Sequence, residues 1–337
     1  MKVKVLGAAA GGGFPQWNCR CANCQRQRLG TFAGPARTQA QLAVSADGQR
    51  WTLLNASPDL RAQIEATPAL WPTDGTRNTP ISSIILTSAE VDQALGLLLL
   101  REFQPLEIYA APTIRRILTE DNSMFGVLRR FEGQAVWHDI HPGVGFVLPG
   151  GLRCEAISAN GHFPGFVDER RFEGADANEA VLGLIVSSNE DAQNGLAADT
   201  RESRVPPSAG AASSGLCASS TGGGAGKFAF LPGVPFIPDA WLGWLETCTA
   251  IFFDGTFWAD DELIRVLGTA KTAREMGHLP VSGPGGTLDR LSALKGPRKI
   301  FLHINNTNPM LDEDGPEWKQ ARDAGWEVAR DGLELEL

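Results

Sequence analysis

Ile84-Ile85-Leu86-Thr87-Ser88-Ala89-Glu90-Val91-Asp92-Gln93 passes from a short apolar run to a polar loop, and the loop leads into a strongly apolar helical stretch. An apolar run that ends in hydroxyls and carboxylates is the mark of a strand in an α/β sheet, where sites form outside the carboxyl ends of strands. The same arrangement recurs twice. Ile251-Phe252-Phe253 is followed by Asp254-Gly255-Thr256, and Ile300-Phe301-Leu302 by His303-Ile304-Asn305-Asn306-Thr307-Asn308-Pro309. A fourth polar segment, Met276-Gly277-His278-Leu279-Pro280, reads as a loop ahead of the glycine-rich Gly283 to Gly286. Carboxylates and imidazoles delivered from separate strand ends can converge on a divalent metal. Taken singly, an aspartate at a strand end is more often a turn or cap residue, and a lone histidine is more often structural. The recurrence carries the reading. His138 and His141 read as surface-loop residues and His162 as an intermediate case, while Trp17 and Trp258 adjoin the candidate segments and could wall an aromatic pocket.

Outward from these segments the pattern is α/β. Strands are expected at Val3 to Leu6, Gln39 to Ser45, Trp51 to Leu54, Glu107 to Ala110, Leu152 to Ser158, Val181 to Ser187, Lys227 to Leu231, Ala250 to Asp254 and Arg298 to His303, with helical stretches between many of them. Asp47-Gly48 marks a hairpin between the second and third. Ser57-Pro58-Asp59 opens a helix running to about Ala66, with a cap residue followed by proline at the first helical position. The whole chain, 1–337, reads as one sizeable α/β unit carrying an insertion. From Asn189 to Gly226 the periodicity gives way to Ala, Ser, Gly and Asp with a Pro206-Pro207 pair. That composition is too poor in large apolar groups to order a chain, so 189–226 is expected to be a disordered hairpin tip between paired strands.

Cys19, Cys21 and Cys24 lie within six residues, directly behind the Gly11-Gly12-Gly13 loop. A Cys-x-Cys-x-x-Cys turn can supply three thiolates to zinc, and a site made mostly of thiolates is usually a closed structural clamp that needs a fourth ligand from elsewhere. Cys154, Cys217 and Cys248 form no paired spacing, which argues against a disulfide framework.

With 30 basic against 39 acidic side chains, a formal net charge of -9 and no Lys/Arg stripe, nucleic acid is an unsuitable partner. The longest apolar run, Ala94 to Leu100, is far shorter than the roughly 20 residues of a membrane span, and no signal-peptide pattern precedes the first strand, so a cytoplasmic location is expected.

Together, Gly11-Gly-Gly-Phe-Pro-Gln-Trp-Asn-Cys-Arg-Cys-Ala-Asn-Cys24, Leu54-Asn55-Ala56-Ser57-Pro58-Asp59, Phe253-Asp254-Gly255-Thr256, Met276-Gly277-His278 and His303 to Pro309 resemble the coenzyme PQQ synthesis protein B family over nearly the whole chain outside the insertion. The resemblance implies a metallo-β-lactamase fold, an αββα sandwich of two mixed sheets with outer helices. It makes Ser88 to Gln93 the degenerate counterpart of the superfamily's His-x-His-x-Asp-His loop, with Gln93 where members usually carry histidine. It implies iron- and oxygen-dependent hydroxylation of the tyrosine ring in a small Glu-Tyr peptide on the way to pyrroloquinoline quinone (PQQ). Asp92, Asp254 and His278 would then hold Fe(II) with Gln93 as a weak fourth ligand, and His303 would belong to either centre. The structural zinc would take Cys19, Cys21, Cys24 and a ligand from the segment His303 to Asn306. Two other functions stay open: a non-catalytic carrier that assists transport of PQQ or its precursor in concert with other pathway proteins, and a metal-dependent hydrolase.

Overall fold

The computed structural model describes residues 1–102, 104–167, 175–188, 226–268 and 271–337. Strands β1 (Lys2–Gly7), β2 (Gln41–Ser45), β3 (Trp51–Leu54), β4 (Ile81–Ile85), β5 (Leu106–Ala110) and β6 (Ala135–Asp139) lie side by side, and the C-terminal β14 (Glu334–Glu336) is added outside β1. A second sheet runs in chain order from β7 (Gly145–Val147) through β8 (Arg153–Ser158), β9 (Leu182–Ser187), β10 (Lys227–Leu231), β11 (Ala250–Asp254) and β12 (Arg298–Leu302) to β13 (Trp326–Val328). Both sheets are mixed. In the first, β14 to β3 pair antiparallel and β3 to β6 parallel. In the second, β7 to β10 pair antiparallel and β10 to β13 parallel. Among the described residues the α-helices are α1 (Ala22–Arg28), α2 (Leu60–Glu65), α3 (Val91–Ala94), α4 (Pro112–Thr119), α5 (Asp239–Glu246), α6 (Glu262–Leu267), α7 (Thr287–Arg290) and α8 (Pro316–Asp323). Two mixed sheets flanked by helices form the αββα sandwich that the resemblance implies.

The strand sequences explain the layering. In β10 to β12, Phe228, Phe230, Phe252, Ile300 and Leu302 enter the core that contains apolar side chains of both sheets, whereas Leu231, Ile251, Phe253 and Phe301 join a second core with Trp241, Leu245, Leu291 and Ala321 of the helical side. Successive side chains point to opposite faces and both faces are apolar, which is why these strands read as unbroken hydrophobic runs. At the carboxyl ends of β4, β11 and β12 the sheets are stitched together: Ile304 N–H donates to Ala8 O and Ala10 N–H to Ile304 O, both at 2.9 Å, and Leu182 N–H donates to Thr87 O at 2.7 Å.

The expected hairpin turns at Gly48, which adopts a positive φ of 77°, while the Asp47 carboxylate accepts from Gln49 N (2.8 Å) and Arg50 N (2.9 Å). Strands β9 and β10 pair across the 189–226 segment as expected. Apart from Gly226, that segment lies outside the described residues, as does Cys217. Three readings are corrected. His138 sits on β6, where its Nε2 bonds the Glu107 carboxylate and its ring stacks on Tyr109 at 4.6 Å. Half-exposed edge strands such as β6 carry little hydrophobic signal. The helix after Ser57 starts only at Leu60, because Ser57 and Gln63 bond each other through their side chains (3.0 Å) and Asp59 turns back to Gln39 N (2.9 Å). The apolar stretch after Val91 makes only one turn of α-helix before tightening into a 3-10 helix over Leu95–Leu100. The cause is close contact: a Cβ on Gly96 would lie 2.2 Å from Ser57 O, and Gly96 N–H donates to Ala56 O at 2.8 Å. Gly96→Ala is expected to cost about 1–3 kcal/mol through overpacking against fixed backbone, read as a lower urea midpoint at unchanged slope.

No helix among the described residues is long and apolar enough to cross a membrane.

Candidate metal centres

The carboxyl ends of β4, β11 and β12 deliver a cluster of carboxylates and imidazoles. Asp254 closes β11 and is fully buried, and His303 follows β12 with a left-handed φ of 57°. His278 is brought in by a loop that turns at Gly277, φ 85°, so that His278 N–H donates to Ala273 O at 3.0 Å. Asp92 comes from the first turn of α3. Ligand-type atoms of Asp254, His278 and His303 lie within 4.8 Å of one another. His278 Nδ1 is 2.7 Å from Asp254 Oδ2, His303 Nε2 is 2.9 Å from Asp92 Oδ2, and the two imidazoles stack at 5.4 Å. Thr256 Oγ1 joins the pairs, at 2.6 Å from Asp254 Oδ1 and 2.8 Å from His303 Nδ1.

Electrostatics hold the cluster in an ionised state. Burial opposes the charge on Asp92 most strongly, but the hydrogen bond and charge of His303, aided by His278, outweigh it and keep the carboxyl below its ordinary range. Asp254 behaves alike: burial opposes ionisation, and His278, His303 and Thr256 together overcome it. Burial likewise works against charge on His303, yet Asp92, Asp254 and Glu90 raise it. A metal entering this cluster would displace the proton shared by His303 and Asp92, so its affinity should rise with pH. Glu90 is held above its usual range by burial and by the neighbouring Asp92.

Gln93 is placed differently from its neighbour. Its amide oxygen accepts from Thr87 Oγ1 (2.7 Å), Ser88 Oγ (3.0 Å) and Asn55 Nδ2 (3.3 Å). Those donors occupy the oxygen that would ligate a metal.

The cysteine loop forms a second convergence. Helix α1 begins one residue after Cys21, which turns the buried Cys24 onto the same centre as Cys19 and Cys21, and the three sulfurs lie within 4.8 Å of one another. Asn306 Nδ2 reaches all three, at 3.1 Å from Cys19, 3.6 Å from Cys21 and 3.3 Å from Cys24. Asn23 fastens this loop to α1 by donating to the carbonyls of Asn306 (3.1 Å) and Asn308 (3.0 Å). Burial, with some contribution from the adjoining sulfurs, pushes the Cys24 thiol up to about 12. Three sulfurs suit zinc, whose binding must drive off that proton.

His303 is thus grouped with the carboxylates and Asn306 with the thiols. Trp17 is 85% exposed, whereas Trp258 packs into the second core and lines a cavity of about 300 Å³ with Glu262, Arg265 and Thr307. Sequence reasoning missed the linking role of Thr256 and the hold of Asn55 on Gln93. Both lie in quoted segments, but only their spacing in three dimensions reveals them.

A family model described as "Beta-lactamase superfamily domain" matches residues 50–216 and 205–304. The chain is 40% identical to coenzyme PQQ synthesis protein B of Methylococcus capsulatus and 37% identical to that of Xanthomonas euvesicatoria, each over 340 residues covering 100% of both chains. The solved structure of zinc-bound PqqB from Methylobacterium extorquens superposes with a TM-score of 0.83 at 35% identity over the full length of both. A diphosphatase of the PhnP family shares the fold, with a TM-score of 0.60 at 20% identity over 100% of this chain and 97% of that one. The chain belongs to the coenzyme PQQ synthesis protein B family of the beta-lactamase superfamily.

Proposed function

We propose that the protein acts in PQQ biosynthesis as an iron- and oxygen-dependent hydroxylase of the tyrosine ring in a Glu-Tyr peptide, with a zinc clamp that holds the fold beside the reactive centre. The observation that carries this reading is the convergence of Asp254 and His303 from two strand ends, Asp92 from the first turn of α3 and His278 from a loop. Two carboxylates and two imidazoles are a donor set suited to a divalent iron, which supplies redox chemistry with dioxygen when bound. Asp92 and Asp254 bring negative charge into a buried region and His303 and His278 offset it, so the set is held ready before metal arrives. In the second centre Cys19, Cys21 and Cys24 would hold zinc, and the Asn306 amide beside them could serve a cation only through its oxygen, since the nitrogen carries no lone pair suited to one.

A second reading, a carrier of PQQ or its precursor, draws support from Gln93, whose amide oxygen is committed to Asn55, Thr87 and Ser88. One experiment separates the two. Fe(II) is titrated anaerobically into wild type and Gln93→His, and hydroxylated peptide is followed by mass spectrometry after air is admitted. The hydroxylase reading expects product from both proteins and at least tenfold tighter iron in the variant, about 1.4 kcal/mol. Equal iron affinity with no product from either protein, alongside metal-independent binding of PQQ, would establish the carrier.

A further inference from the structure

We propose that the Thr256 hydroxyl is the positioning group of the carboxylate–imidazole centre, fixing His303 as the Nδ1–H tautomer and Asp254 as a ligand through Oδ2 alone. The inference rests on the reading of that cluster as a metal centre.

Thr256 is buried, and its hydroxyl oxygen has three close neighbours: Asp254 Oδ1 at 2.6 Å, His303 Nδ1 at 2.8 Å and His303 O at 2.8 Å. Two of these, an ionised carboxylate oxygen and a peptide carbonyl, can only accept. The single hydroxyl proton is shared between these two acceptors and leaves none for His303 Nδ1, so the contact with Nδ1 is favourable only if Nδ1 itself carries a proton and donates to the hydroxyl lone pair. Neutral His303 then has its lone pair on Nε2, the atom that faces Asp92 Oδ2 at 2.9 Å. Without a metal that contact needs a proton on Nε2 as well. A divalent cation takes the place of that proton.

The same hydroxyl sets the role of Asp254. Its Oδ1 accepts from Thr256 N (3.0 Å) and Thr256 Oγ1, while Oδ2 accepts from Val234 N (2.9 Å) and lies beside His278 Nδ1. Oδ1 is therefore occupied within its own turn, and Oδ2 is the oxygen on the side of the imidazoles. Outer partners of this kind orient metal-ligating histidines and typically change metal affinity by about 10–100-fold when removed.

Thr256→Val removes the hydroxyl at nearly constant volume, and Thr256→Ser keeps it while removing the methyl. The protein has five histidines, so long-range nitrogen–proton NMR of histidine-labelled protein can resolve the His303 ring above the pH at which it loses its charge. Co(II) affinity is measured by chelator competition in protein already carrying one equivalent of zinc. Wild type and Thr256→Ser should show the Nδ1–H tautomer and Co(II) affinities within about threefold of each other. Thr256→Val should show mixed tautomers and bind Co(II) at least about tenfold more weakly. Retention of the tautomer and of the affinity in Thr256→Val overturns the proposal, and so does a Thr256→Ser variant that falls as far as Thr256→Val. If wild type takes up no Co(II) beyond the clamp, the metal-centre reading fails, and the tautomer comparison still decides the role of the hydroxyl.

Discussion

Asp254→Asn is expected to abolish metal binding at the carboxylate–imidazole centre, with affinity down at least about 100-fold, while zinc in the cysteine loop stays at one equivalent. Asp254 is the most constrained member of the cluster. Its two oxygens accept from Val234 N, Thr256 N and Thr256 Oγ1 and pair with His278 Nδ1. An asparagine of the same shape cannot present two acceptor atoms to that ring of donors, and it removes a charge that favours protonated His303. Breaking a buried charge pair in this way costs about 3–5 kcal/mol, so the variant should also melt lower. His278→Ala supplies the control for the second centre: it removes the imidazole that faces Asp254 Oδ2 and should lose the metal here while the cysteine loop keeps its zinc. Elemental analysis with thermal melts reads both effects. Loss of both metals together in His278→Ala would contradict the separation of the two centres.

The second large effect is expected from Cys24→Ser. Cys24 is fully buried in the same core as Phe14, Ile304 and Met310, so it contributes to packing as well as to the sulfur cluster. Zinc should fall from about one equivalent to near zero, and the melting temperature should drop by more than about 10 °C, since structural zinc contributes folding free energy directly, up to about 10–16 kcal/mol in small domains. The pH dependence has a definite sign. In the metal-free protein the Cys24 thiol is raised from 9.0 to about 12, so the fold favours the neutral thiol; that preference is complete below about pH 9 and is lost as pH rises toward 12. Zinc affinity runs the other way and strengthens with pH, because each bound thiolate must first lose its proton. Wild-type protein that retains its melting temperature after complete zinc removal would show that the loop is held without metal.

The strand ends were legible because both faces of β10, β11 and β12 are covered, which leaves unbroken apolar runs that stop abruptly at Asp254 and His303. The sulfur cluster was legible from spacing alone. Less could be read where a side chain has two usable ends. Gln93 and Asn306 each offer an oxygen or a nitrogen, and the choice is made by neighbours remote in sequence, Asn55 in one case and the cysteines in the other. His138 escaped because an edge strand with Val136 at 37% exposure lacks the hydrophobic alternation of an interior one. The early end of α3 was written in Gly96, but its meaning depends on the Ala56–Ser57 backbone lying against it. Local pattern reports burial well and reports contact partners poorly.

In the proposed function, a structural zinc clamp stands beside a separate iron centre that uses oxygen. The most direct test is oxygen uptake by anaerobically prepared protein holding one zinc and one Fe(II), mixed with a Glu-Tyr peptide. Uptake should require both iron and peptide and should yield hydroxylated tyrosine, and it should vanish in His278→Ala, which keeps its zinc. Uptake that is the same with and without the peptide, with no hydroxylated product, would contradict the account.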